Sequence, residues 1–253
     1  MVISSSSLFH FTNKIDKLEN ILRNEFHPNY SLENYSGLFS GLGIKEEQAI
    51  PMVCFCDLPL SQVGEHIGFY GNYGIGLCKE WGISKGINPV MYLRSKSYLA
   101  NHITNMLRSI IDKRDAETGL RIFEMMSFVK SYKGRLFRQG GYSGEKTFYD
   151  EREWRYVPAI QDSPTVKYAE FFTLSREDYM DPEKLRIANE EYCSKIKLPF
   201  TPKDIKYIIV SKESEILPMV KAIENIKGDA HTYDDLKTLT TRIITAEQIK
   251  QDF

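Results

Sequence analysis

The chain has 253 residues, 42% of them hydrophobic and 26% charged, with 33 Lys and Arg against 34 Asp and Glu and a formal net charge of −1. That leaves ample apolar side chain for a core, and the charge balance excludes a protein that binds nucleic acid through its overall field, leaving only local basic patches. No run approaches the ~20 apolar residues of a membrane-spanning helix, the N-terminal MVISSSS lacks the basic and apolar segments of a signal peptide, and Cys54, Cys56, Cys78 and Cys193 form no secreted disulfide framework, so a cytoplasmic protein is expected.

In chain order, LFHFT at residues 8–12 alternates apolar and polar at its end, as a half-buried strand does. In NKIDKLENILRNEF, residues Ile15, Leu18, Ile21 and Leu22 recur at helical spacing, with Asn13 as the expected cap and Asp16 in the first turn. Residues 27–50 hold Pro28 and the glycines 37, 41 and 43, and read as a long loop. MVCFC is a short strand ended by Asp57 and Pro59, GIGLCKEW a second and NPVMYL a third. Helices are expected over 96–113, with Leu99, Ile103, Met106, Leu107 and Ile110 on one face, and over 116–129. KSYKGRLFRQGGYSGEK reads as a basic, glycine-rich loop, and Thr147–Val157 as a strand. KIKLPF and IKYIIV bracket the turn TPKD, a helix runs from Glu215 to Ile226, TRIIT is the last strand and AEQIKQDF a terminal helix. Strands and helices mix without regular βαβ alternation, which favours one α+β domain.

Chemistry-bearing residues are few. On a strand, Glu151 and Glu153 of YDEREWRYVP leave one face and Trp154 the other, where it is expected to pack into the core. Two carboxylates that close repel, which prepares them for different roles; an exposed edge strand studded with charge is the plainer reading. His10 can donate from one ring nitrogen and accept at the other, as a ligand for a ribose hydroxyl or as a core histidine bonded to a backbone carbonyl. Tyr70 and Tyr73 lie among glycines that permit close approach and offer a face to a flat heterocycle, or simply occupy a turn. Lys130, Lys133, Arg135 and Arg138, interleaved with Tyr132 and Phe137, suit phosphate or single-stranded nucleic acid, or a solvated loop. Cys54 and Cys56 lack the spacing and the partner pair of a zinc site, so packed thiols and no metal are expected.

The order of these segments carries a resemblance. LFHFTNKIDKLENIL resembles the opening of several ADP-ribosyltransferase-fold families, including DarT-type enzymes, in which a strand bearing His-x-Thr leads into a helix with an Asn-Leu-x-x-Ile pattern. Followed by PMVCFCDLPL, YGIGLCKEW, NPVMYL and YDEREWRYVP, and closed by TRIITAEQIKQDF, the series resembles the AbiGi family of bacterial abortive-infection proteins over nearly the full chain. It also resembles a larger family of uncharacterised domains that share a Glu-x-Glu-Trp/Tyr-Arg strand.

The resemblance implies a single domain over 1–253 with an ADP-ribosyltransferase-like split mixed sheet flanked by helices, and NAD as substrate. His10 would then bind the ribose with Thr12 beside it, and Tyr70 or Tyr73 would stack on nicotinamide. Glu153 would grip the ribose hydroxyl and stabilise the positive charge that develops as nicotinamide departs, and Glu151 would stand where the acceptor is activated. ADP-ribose would pass to a protein, a nucleic acid or water, with Lys133, Arg135 and Arg138 as acceptor contacts. The glycine setting of the tyrosines and the Trp154–Arg155 pair depart from that pattern. The resemblance also implies an alternative, a non-catalytic antitoxin or sensor that keeps the fold and meets a partner protein from the same defence operon.

Overall fold

The computed structural model describes residues 4–39, 41, 42, 46–111, 116–138, 141–159, 172–228 and 231–252. The strands are β1 (Ser7–Thr12), β2 (Asn29–Asn34), β3 (Glu47–Cys56), β4 (Tyr73–Cys78), β5 (Asn88–Pro89), β6 (Met91–Leu93), β7 (Val129–Ser131), β8 (Lys133–Arg138), β9 (Gly141–Thr147), β10 (Glu153–Tyr156), β11 (Leu174–Ser175), β12 (Ile205–Val210) and β13 (Ile243–Thr245). The helices are α1 (Ile15–Asn24), α2 (Gly64–Tyr70), α3 (Lys79–Ser84), α4 (Tyr98–Ile111), α5 (Ala116–Ser127), α6 (Arg176–Met180), α7 (Pro182–Glu191), α8 (Ile216–Lys227), α9 (Tyr233–Thr240) and α10 (Ala246–Asp252). This is a mixed α+β protein, and its chain divides into two compact units: Met1–Phe26, Cys54–Ile87 and Lys197–Phe253 form the first, His27–Val53 and Asn88–Ile196 the second.

In the first unit, β1 pairs antiparallel with β4 from Ser7↔Cys78 to Thr12↔Tyr73. β4 pairs antiparallel with β12, and β12 parallel with β13, so the sheet is mixed. Directly opposed residues share a face, which puts Leu8, His10 and Thr12 with Leu77, Ile75 and Tyr73, and Phe9 and Phe11 with Gly76 and Gly74. The two glycines explain themselves at this point. A Cβ on Gly76 would lie 2.7 Å from the Phe9 ring and one on Gly74 2.9 Å from the Phe11 ring. The phenylalanines lie flat over bare backbone and join a core with Val63, Ile67, Ile209 and Ile249, each buried ring contributing about 1.5–3 kcal/mol. The glycines expected to admit a ligand admit Phe9 and Phe11 instead. The helix α1 buries Leu18 and Leu22 with Asp16 in its first turn, but its N-cap is Lys14 and no side chain caps it, so the expected role of Asn13 is not realised.

In the second unit, β3 pairs antiparallel with β2 (Leu32↔Ala49) and with β11 (Leu174↔Ala49). β6 and β7 pair in parallel, β10 pairs with β5, and β8 and β9 form an antiparallel hairpin. Two expectations are corrected here. The 27–50 stretch contains β2 and the start of β3, and the basic stretch 130–146 is built of β7, β8 and β9 rather than an open loop. One strand expectation also fails: Lys79–Trp81 belong to α3.

Candidate functional site

The second unit packs six charged groups together, five of them buried. β10 opens at Glu153, and its alternation turns Glu153 and Arg155 inward, while Trp154 and Tyr156 are half-buried on the other face. Trp154 is thus opposite Glu153, as its strand position demands, yet does not enter the core. Glu151 does not share a strand face with Glu153. It ends a 3-10 turn, Phe148–Glu151, and Arg152 then takes the left-handed conformation at φ 45°, ψ 52°. Such a conformation in a non-glycine residue costs on the order of 1–3 kcal/mol and is held by its surroundings.

What brings the acids together is Lys130 of β7. Its Nζ donates to Glu153 Oε2 at 2.5 Å and to Glu151 Oε2 at 3.2 Å, and it lies 4.7 Å from the Phe148 ring centre. Lys146 of β9 reaches Glu151 Oε1 at 2.9 Å. Arg155, wholly buried, donates from Nε to Glu153 Oε1 at 2.5 Å, from Nη2 to Glu33 Oε1 at 2.7 Å and from Nη1 to the Ser127 carbonyl at 2.8 Å. The Glu153 amide donates to the Tyr92 hydroxyl at 2.8 Å. Three carboxylates face three cations, so the cluster is neutral.

Burial alone would raise the Glu153 carboxyl, but Arg155 and Lys130 outweigh it and hold it well below the usual carboxylate range. Burial alone would lower the Lys130 ammonium, but Glu153, Glu33 and Glu151 outweigh it and raise it well above its ordinary value. Both groups are therefore charged across the physiological range. Each Glu153 oxygen is already held by one cation. Drawing the carboxylate off to a ribose hydroxyl leaves a buried charge uncompensated, at about 3–5 kcal/mol, against the ~1.5–3 kcal/mol that one hydrogen bond to a charged group returns.

The root of the β8–β9 hairpin adjoins this cluster: the Phe148 amide donates to the Tyr132 carbonyl at 2.9 Å. Lys133 and Arg135 of β8 are exposed; the side chain of Arg138 lies outside the described residues.

The first unit holds the other expected site residues. His10 is half-buried on β1, with Nδ1 2.8 Å from the Cys54 carbonyl and its ring edge-on to Phe26 and Phe55. Burial lowers its pKa; the Cys54 bond opposes this and the charge of Lys17 adds to it. The imidazole is thus neutral, with the proton on Nδ1 facing the carbonyl and Nε2 as an acceptor without a partner among the described residues. Thr12 is buried on the same face, and its hydroxyl also finds no partner among the described residues. Tyr73 stands directly across from Thr12 and donates its hydroxyl to Glu215 Oε1 at 3.0 Å. Tyr70 ends α2, lies 4.3 Å from His66 between ring centres, and packs against the core that holds Phe9 and Phe11, whose side chains leave β1 on the face opposite His10. The geometry gathers His10, Thr12 and Tyr73 on one face of the first unit, and Glu151 and Glu153 inside the second. Lys130, Arg155, Glu33 and Lys146 are the partners the sequence reading missed; a Glu and an Arg two apart on one strand were the available signal for Arg155.

By class, this is a mixed α+β protein whose acidic pair sits neutralised in a buried ion cluster, and among its described residues no helix is long and apolar enough to cross a membrane. A family model described as putative abortive phage resistance protein AbiGi, antitoxin, matches residues 24–211. The chain belongs to that family, which places it in antiphage defence and bears out the AbiGi resemblance. It is 28% identical over 255 residues to an abortive phage resistance protein AbiGi of Lactococcus lactis subsp. cremoris, a match covering 90% of this chain and 99% of the relative. No solved structure matches the chain significantly.

Proposed function

We propose that this chain serves abortive phage resistance as a non-catalytic antitoxin that binds a partner protein, rather than as an enzyme that consumes NAD. The observation that carries the reading is the ion pairing of Glu153, the residue to which transferase chemistry would fall: one oxygen is held by Lys130 and the other by Arg155. An anion preorganised for a developing cation must present an open face to the substrate; this one already spends its charge on two buried cations. The antitoxin wording of the family description supports the same reading.

A second reading, NAD-dependent ADP-ribosyl transfer or NAD hydrolysis, is favoured by one feature only. The buried Thr12 hydroxyl is without a partner among the described residues, on a face shared with His10 and Tyr73. The two readings part in one experiment. Purified protein is incubated with NAD, alone and with cell extract, and assayed for nicotinamide release and for ADP-ribose mass shifts; the chain is also co-expressed with the product of the neighbouring gene. No nicotinamide release, together with rescue of growth from a toxic neighbour, is the expected result. Release that disappears in His10→Ala and in Glu153→Gln overturns the antitoxin reading and restores the enzyme.

A further inference from the structure

Beyond the neutral cluster, the second unit carries an aromatic and cationic surface that the antitoxin reading does not use. Tyr149 is 43% exposed. Its ring lies 5.3 Å from Tyr92 and 5.8 Å from Tyr132, and the Arg152 guanidinium sits 5.3 Å from its centre. Arg152 is there because its backbone is left-handed, a conformation closed by its own amide bonding to the Tyr149 carbonyl at 3.3 Å. Its side chain has no carboxylate partner among the described residues. Immediately beyond Tyr132, β8 extends Lys133 and Arg135 into solvent, and neither has an ion-pair partner among the described residues. As alternate residues of a strand these two lie roughly 6–7 Å apart, a spacing comparable to successive phosphates of an extended strand. The acids in reach are Glu145, opposite Arg135 in the hairpin register, and exposed Asp150; Glu151 is occupied by Lys130 and Lys146.

We propose that this surface, comprising Tyr132, Tyr149, Arg152, Lys133 and Arg135, binds single-stranded nucleic acid, with bases stacked on the tyrosine and arginine planes and phosphates meeting the cations. An exposed ring beside unpaired cations is the arrangement single-strand binders use, and it tolerates sequence because every base has a flat face. A duplex hides those faces, and an acidic protein surface needs the cations but not the rings. The proposal is independent of the antitoxin reading.

The test is fluorescence anisotropy of the full chain with labelled oligothymidylate, oligouridylate, a duplex and polyglutamate, titrated between about 50 and 200 mM salt. The single strands are expected to bind tighter than the duplex and polyglutamate. Tyr149→Ala is expected to weaken single-strand binding on the order of tenfold, and Lys133→Ala with Arg135→Ala to flatten the log–log salt slope by roughly 1.4. Arg152→Gly suits the left-handed backbone, so it keeps the fold and is expected to weaken binding as well. Absence of single-strand binding overturns the proposal, as does equal affinity for the duplex or for polyglutamate. Binding undiminished in both Tyr149→Ala and Arg152→Gly, each shown folded by circular dichroism, overturns it too.

Discussion

The ammonium of Lys130 stands 2.5 Å from Glu153 and 3.2 Å from Glu151, so a single cation joins the two acids whose proximity in sequence first suggested a catalytic pair. A pair of like charges left alone would drive one pKa up; with Arg155, the shared cation does the reverse and holds Glu153 as an anion. On the antitoxin reading proposed above, that reversal makes Glu153 a structural group rather than a reacting one.

Removing the shared cation tests this directly. Lys130→Met leaves two buried carboxylates short of a partner and is expected to cost about 3–5 kcal/mol, read as a fall in the urea midpoint with the slope unchanged. Adding Glu153→Gln removes one of the stranded charges, so the double variant is expected to be more stable than the sum of the single effects. Strict additivity of the two single losses would remove the coupling on which this account rests.

Acid separates the two units by pH window. His10 has a folded pKa below its ordinary 6.5, so the unfolded chain binds the extra proton and stability falls as pH drops below about 6.5. Glu153 is held below the carboxylate range, so its contribution is complete above about pH 4.3 and is lost as pH falls through its folded value. Lys130 runs the other way: its contribution is complete below about pH 10.4 and is lost as pH rises through its raised folded value. His10→Phe is expected to flatten the decline that sets in as pH falls below about 6.5 while leaving the steeper loss below about pH 4. Thermal melts across that range check it; a decline near pH 6 unchanged in His10→Phe contradicts the assignment.

Three glycines, Gly64, Gly71 and Gly76, make a third prediction. Gly76→Ala sets a methyl 2.7 Å from the Phe9 ring, an overpacking expected to cost about 1–3 kcal/mol. Gly71→Ala is expected to be worse, because Gly71 has φ 121° and an added Cβ would lie 2.3 Å from the Thr12 carbonyl oxygen, which is backbone and cannot give way. By contrast Gly64→Ala, where nothing lies within 4 Å, is expected to be neutral or slightly stabilising. Melting temperatures that rank these three otherwise refute the packing account.

Several elements were legible in the chain by itself. The alternation of LFHFT, the spacing of Leu18 and Leu22, the apolar run IKYIIV and the pairing of TRIIT with AEQIKQDF are all contained within a few residues, and they appear as β1, α1, β12, β13 and α10. Others carried signals that went unread. Ser175 caps α6 by accepting from the Asp178 amide, Asp181 caps α7 just before Pro182, and Thr232 caps α9 by accepting from the Asp235 amide, each a local start signal. The order of segments also sufficed for the AbiGi family.

Tertiary structure alone decided what the charged residues do. Lys130 meets acids 21 and 23 positions away, and Arg155 meets Glu33 across 122. Periodicity in a short window fixes which way a side chain faces. It does not fix which distant charge will be waiting there, because that depends on chain closure and on removing both groups from water together. Sequence thus supplied the acids, the imidazole and the tyrosines; folding turned the acids into one neutral buried cluster and left Tyr149 and Arg152 at the surface.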